Sequence, residues 1–197
     1  MPGDGQCGLA AVAVTALLLE VDDEKVFASQ MATLCGQEQS AAMNRSIGDL
    51  LWRFYRNGQD DSMLQNHIHW NQLLLLMRSA MLEQMEKMDR SGQGPLPTKS
   101  ERVQLKGKSA HLDHGCFLAL SVLLDRPVLI HFTERDQPAT KPFGQYSSNL
   151  SPIHVFHGPM NPDEKSLNTL QHYDGLLTDF ACIIRPEWLN EQAQLSL

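Results

Sequence analysis

Residues 3–9 read Gly3-Asp4-Gly5-Gln6-Cys7-Gly8-Leu9, a glycine-rich turn that delivers a cysteine to the start of an apolar run. A thiol attacks a carbonyl as its anion, and the unpaired N–H groups of a helix N-terminus favour an anion. Glycines beside it leave backbone N–H groups unobstructed. Such donors next to a nucleophile are the material of an oxyanion hole, which makes Gly3-Asp4-Gly5-Gln6-Cys7 a candidate acyl-transfer site. The chemistry this predicts is acyl transfer through Cys7. The competing reading is a small core thiol after an ordinary turn.

A nucleophile of this kind needs a base, and the base needs an orienter. Gln171-His172-Tyr173-Asp174 offers both. Residues i and i+2 of a strand share a face, so Asp174 is placed to hold the imidazole of His172 in one tautomer. The competing reading is an exposed polar strand end. The remaining histidines carry weaker signals. His67 and His69 stand at i,i+2 on a helical pattern, which points them apart. His111 and His114 lack a third ligand, and His131, His154 and His157 lie in or beside strands.

The elements that must position these residues follow from the apolar pattern. Residues 9–21 carry one charge, Glu20, and one other polar side chain, Thr15. A helix apolar on every side must be buried on every side, so a central helix is expected over about 8–20 with Cys7 at its head. Asp22-Asp23 caps a second helix ending near Gly36, and a third spans about 46–56 before Asn57-Gly58. A long helical stretch, about 62–88, carries Met77, Met81, Met85 and Met88 as a stripe. It reads as core filling or as a helical arm over about 60–90 with a partner groove.

Gly92, Gly94, Pro95 and Pro97 then break the pattern, and residues 89–110 read as a mobile basic loop. A helix over about 113–124 ends at Arg126-Pro127. Short strands are expected at 128–132, 153–156, 172–177 and 180–184, with a loop over 134–151. Helices first and strands last make an α+β fold in which the buried first helix packs on a mainly antiparallel sheet.

Composition sets the outer bounds. The chain has 197 residues, 42% of them hydrophobic and 20% charged, and carries a net charge of −7. That size suits one domain, 1–197, and the composition excludes a largely disordered chain. No apolar run reaches the roughly 18 residues of a membrane span. The acidic balance argues against nucleic acid. The four cysteines (Cys7, Cys35, Cys116, Cys182) show no C-x-x-C spacing, which argues against a disulfide framework or a structural zinc site. No secretory signal is apparent, so a reducing, cytoplasmic setting is expected.

Taken together, three ordered motifs resemble the ovarian tumour (OTU) family of cysteine proteases, which remove ubiquitin. Gly3-Asp4-Gly5-Gln6-Cys7 is similar to the family's G-D-G-x-C nucleophile motif. The run from Gly115 to Ile130 is similar to its glycine-led helix passing through Arg-Pro into a core strand. Ile153-His154-Val155-Phe156, followed by His172-Tyr173-Asp174, is similar to its last strands and H-Y-D motif. The resemblance implies a papain-like fold, Cys7 as nucleophile, His172 as base and then acid, and Asp174 as orienter. It also implies ubiquitin or polyubiquitin as partner, no cofactor and a monomer. The divergence is similar to that of a bacterial effector or viral member, which would act in a host cytoplasm.

Gly8, Leu9 and Ala10 depart from the family's large apolar, aromatic and basic residues after the cysteine. Two other readings stand beside this one: a different papain-like protease or acyltransferase, and a catalytically inactive ubiquitin-binding module. Acids available for the arginines of a ubiquitin tail are Asp60, Asp61, Glu83, Glu86, Glu134 and Asp136.

Overall fold

The computed structural model describes residues 6–56, 61–94, 96–107, 112–134, 137–144, 151–159, 171–175 and 187–189. Residues 61, 133, 134, 159, 171–175 and 187 are described by their backbone alone. Seven α-helices are present among them: α1 Cys7–Leu18, α2 Glu24–Cys35, α3 Ala41–Arg56, α4 Asp61–Gln65, α5 Ile68–Arg90, α6 Lys99–Gln104 and α7 His114–Leu124. The strands are β1 Val128–Glu134, β2 Gln137–Phe143, β3 Ile153–Pro159 and β4 Gln171–Gly175. They form a sheet in the order β2-β1-β3-β4. The two outer pairings are antiparallel and the central β1–β3 pairing is parallel, so the sheet is mixed. The fold is α+β.

Helix α1 is buried along its whole length, every residue from Cys7 to Leu18. Its one polar side chain, Thr15, donates to the Ala11 carbonyl one turn back (2.9 Å) and lies 3.4 Å from the His154 carbonyl of β3. Helices α2, α3 and α5 surround it, and it packs against β4 and β3. Beyond its C-terminus, Glu20 receives the guanidinium of Arg126, which is 1% exposed. Arg126 leaves its Nε and Nη1 without a hydrogen-bond partner, so this carboxylate is the counter-charge the buried cation depends on.

Local signals explain most helix ends. Asp23 caps α2 through the Lys25 and Val26 N–H groups, and Gly36 closes it at φ +69°. Asp113 caps α7 through the Cys116 N–H (2.9 Å). Trp188 of the short 3₁₀ turn Glu187–Leu189 donates to the Val21 carbonyl (2.9 Å) and stacks near Phe27.

Several expectations are corrected. Helix α3 begins at Ala41, earlier than 46. The stretch at 62–88 is two helices, because His67 adopts extended backbone (φ −91°, ψ 121°) as the cap of α5. Helix α5 does not stand off as an arm. Met77, Met81, Met85 and Met88 are buried, and α5 packs against α7 and α2.

The described part of the 89–110 loop holds α6, started by a reciprocal Thr98–Glu101 capping box. Arg102 ties it to Asp89 (2.7 Å), and Arg78 donates to the Leu105 carbonyl (2.8 Å). Strand β2 lies where a loop was expected. Its Pro138 and Pro142 hide a strand that is tolerated because it sits at the sheet edge. The strand expected at 180–184 lies outside the described residues. Among those residues no helix is long and apolar enough to cross a membrane.

Removing Glu20 strands a buried cation. Glu20→Ala is expected to lower the unfolding free energy by about 3 kcal/mol, read from urea unfolding followed by circular dichroism. Arg126→Met, which removes the cation itself, is expected to cost less.

Candidate functional site

Cys7 opens α1, with Gln6 as the capping residue. The Gln6 carbonyl accepts the Ala10 N–H (2.9 Å), the first bond of the helix. No acid stands in the first turn of the helix. The N–H groups of Cys7, Gly8 and Leu9 therefore have no helical carbonyl to bond, and they are the donors a carbonyl oxygen at Cys7 would use. Asp4 and Gly5 lie outside the described residues.

The other described thiols make a contrast. Cys116 also begins a helix, but its N–H is taken by Asp113, and burial, with the Asp113 charge, pushes its thiol up to about 12. Burial alone pushes Cys35 up to about 12.

Three contacts fix how α1 lies on the sheet. Glu20 meets Arg126, two residues before β1. Thr15 meets the carbonyl of His154, at the beginning of β3. At the other end, Gly8 abuts Leu112 and Phe117, at the head of α7. Helix α1 thus runs antiparallel to β1 and β3. From Thr15 back to Cys7 the helix rises about 12 Å. From His154 forward to Gly158 the strand rises about 13 Å. The register of β4 sets His172 opposite Gly158, Tyr173 opposite His157 and Asp174 opposite Phe156.

The faces divide as follows. Ile153 and Val155 are fully buried, and α1 is the helix packed on β3, so α1 covers their face. Strand alternation puts His157 on that face too. Burial and the neighbouring charge of His114 hold His157 below its ordinary value, which keeps it neutral near pH 7. The register positions of His172 and Asp174 share one face, as the i,i+2 spacing requires, and it is the face of Phe156 and Gly158. The positions of His172 and Asp174 are thus on the face away from α1, while His157 is on the α1 side. Sequence reasoning passed over His157 as a strand-end histidine. The signal that would have found it is the parity of β3, with Ile153, Val155 and His157 at every second position.

Gly8 explains a departure in the sequence. A Cβ there would sit 3.0 Å from Leu112 Cδ1 and 3.3 Å from Phe117 Cζ, so α7 fills the space a larger side chain would need. Cys7 itself is 2% exposed.

Two further histidine groupings were not foreseen. His69 Nδ1 lies 2.8 Å and His67 Nε2 3.4 Å from Ser46 Oγ, and the two rings meet edge to face. They converge because His67 caps the helix rather than belonging to it, so the i,i+2 rule does not apply. His131 and His154 pair across β1 and β3. Among the described residues, no three of His, Cys, Asp and Glu converge as a metal cluster. Of the acids considered for an arginine-rich tail, Glu86 faces Arg90 on the same helix (3.8 Å), and Asp60 and Asp136 lie outside the described residues. Compared with known proteins, the chain matches no family model and no curated protein.

Gly8→Leu is expected to destabilise the fold by about 2 kcal/mol through overpacking, and pairing it with Leu112→Ala should recover part of that loss in urea unfolding. A pH effect is expected as well. Burial, the first cause in each case, lowers His67, His154 and His157. Each folded imidazole resists protonation, so below about pH 6.5 the unfolded chain binds more protons. Their contribution is complete above that pH and falls away beneath it. The urea midpoint should drop between about pH 7.5 and about pH 5.5, and His157→Gln should flatten the drop.

Proposed function

We propose that this chain is a thiol-dependent hydrolase that cleaves isopeptide bonds at the C-terminus of ubiquitin, with Cys7 as nucleophile, His172 as base and acid, and Asp174 as orienter. The observation that carries the reading is the packing of α1, which Cys7 begins, against β3 and against β4, the strand that contains His172 and Asp174. Because the register sets the positions of His172 and Asp174 on the face away from α1, the role of His172 is the part of the proposal that substitution decides. The three motifs that resemble the OTU family support the same assignment, in the same order along the chain.

In the reaction, the Cys7 thiolate adds to the carbonyl carbon that joins the ubiquitin C-terminus to a lysine Nζ. The developing oxyanion takes hydrogen bonds from the N–H groups at the head of α1. The imidazolium of His172 gives its proton to the departing amine as the C–N bond breaks, leaving a thioester on Cys7. Water, deprotonated by the same imidazole, attacks the thioester carbonyl and releases the acid and the thiolate. Asp174 fixes the imidazole through its other nitrogen. The chemistry needs no metal or cofactor. A reducing compartment, such as cytoplasm, suits it, because an oxidised Cys7 would be inert.

A second assignment within the same chemistry has its own observation. His157 stands on the α1 face of β3, and burial with the neighbouring His114 charge favours its neutral form, as a base requires. The two assignments separate by substitution.

The test is ubiquitin carrying a C-terminal electrophile, followed by intact mass. A single adduct on the parent, absent from Cys7→Ala, is the expected result. Adduct on Cys7→Ala, or none on the parent while a small alkylating reagent still modifies Cys7, would overturn the ubiquitin reading. Chain cleavage should fall about 1,000-fold in His172→Ala and less in Asp174→Asn. A comparable loss in His157→Ala with activity kept in His172→Ala would transfer the role of base to His157.

A further inference from the structure

We propose that His131 and His154 form a binding site for a divalent transition ion of borderline softness, the class of Ni²⁺, Cu²⁺ and Zn²⁺. The site lies on the face of the sheet opposite α1. His131 is on β1 and His154 on β3, adjacent parallel strands in which His131 pairs with Phe156 and Leu129 with His154. The two histidines are diagonal neighbours on one face. Leu129, His131, His154 and Phe156 are all partly exposed there, in contrast to buried Val128, Ile130, Ile153 and Val155 behind them. An ion can reach them from solvent.

The geometry is close to that of a chelate. His131 Nε2 and His154 Nδ1 are 2.9 Å apart, and the rings are nearly coplanar, with 5° between their planes and centroids 5.1 Å apart. Two imidazole nitrogens on one tetrahedral ion, each about 2.0–2.1 Å from it, stand about 3.3 Å apart. To hold one ion the nitrogens part by a few tenths of an ångström and each ring swings by about 35°, so that both lone pairs meet at a point off the line between them.

The surroundings orient the rings. His131 Nδ1 is 2.9 Å from Thr140 Oγ1 of β2. With its Nδ1–H given to that hydroxyl, His131 turns Nε2 toward the ion, the outer-shell arrangement typical of metal-bound histidines. The proton now shared between the rings moves to His154 Nε2, so two neutral imidazoles bind the ion without net proton loss. Three strands hold the parts: Thr140 on β2, His131 on β1 and His154 on β3. No further His, Cys, Asp or Glu completes the set among the described residues, so water fills the other positions and binding is of moderate strength. The His67–His69 pair differs, because the Ser46 hydroxyl lies between its nitrogens.

Ni²⁺ titrated into the full, thiol-reduced chain by calorimetry should show one principal site. His131→Gln and His154→Gln should each weaken it at least about tenfold, while His67→Gln and His69→Gln leave it unchanged. In the unsubstituted chain, substoichiometric Ni²⁺ should broaden the ring signals of His131 and His154 before those of any other histidine. Undiminished binding in both His131→Gln and His154→Gln, or first broadening at another histidine, would overturn the assignment. Because the broadening is read on the parent, poor folding of a variant does not rescue the proposal.

Discussion

The complete burial of α1 is the constraint on which the rest of this structure depends. A helix with no polar face must be enclosed, and the chain spends α2, α3, α5, β3 and β4 on enclosing it. Burial alone does not fix how such a helix slides or turns. Two polar contacts do that: the Thr15 hydroxyl at the His154 carbonyl, and Glu20 holding the buried Arg126. Glu20 follows the helix C-terminus, where the helix dipole disfavours a carboxylate. The buried guanidinium offsets that cost and gives the helix a definite end point against the start of β1.

From that anchoring the site geometry follows. With the C-terminal end of α1 held at the start of the parallel β1–β3 pair, its head must emerge at the far end of β3. The β3–β4 register then decides which residues of the last described strand share a face. The helix that Cys7 begins packs on β3 and β4, and Leu112 and Phe117 close the space beside Gly8. The opposite face of the same sheet carries a different chemistry, the His131–His154 pair, on strands stiffened by the same core.

What the sequence by itself determined is the set of elements whose signals are local. The all-apolar run after Cys7, the Asp23 and Asp113 caps, the Gly36 stop and the methionine stripe each state their structure within a few residues. The tertiary structure alone decided what depends on residues far apart. Strand β2 is masked by its prolines and exists because β1 gives it an edge to pair with. His67 leaves helical geometry and converges with His69 on Ser46, across 21 and 23 residues of chain. His157 and His172 differ in the face they occupy, and a histidine's face is set by strand register, which the hydrophobic pattern of one short strand cannot specify. Glu20 and Arg126 look like ordinary charges in the chain, and their pairing across 106 residues is what makes them structural. Local propensity is written in neighbouring residues, while register, facing and charge pairing come into being only when distant segments pack.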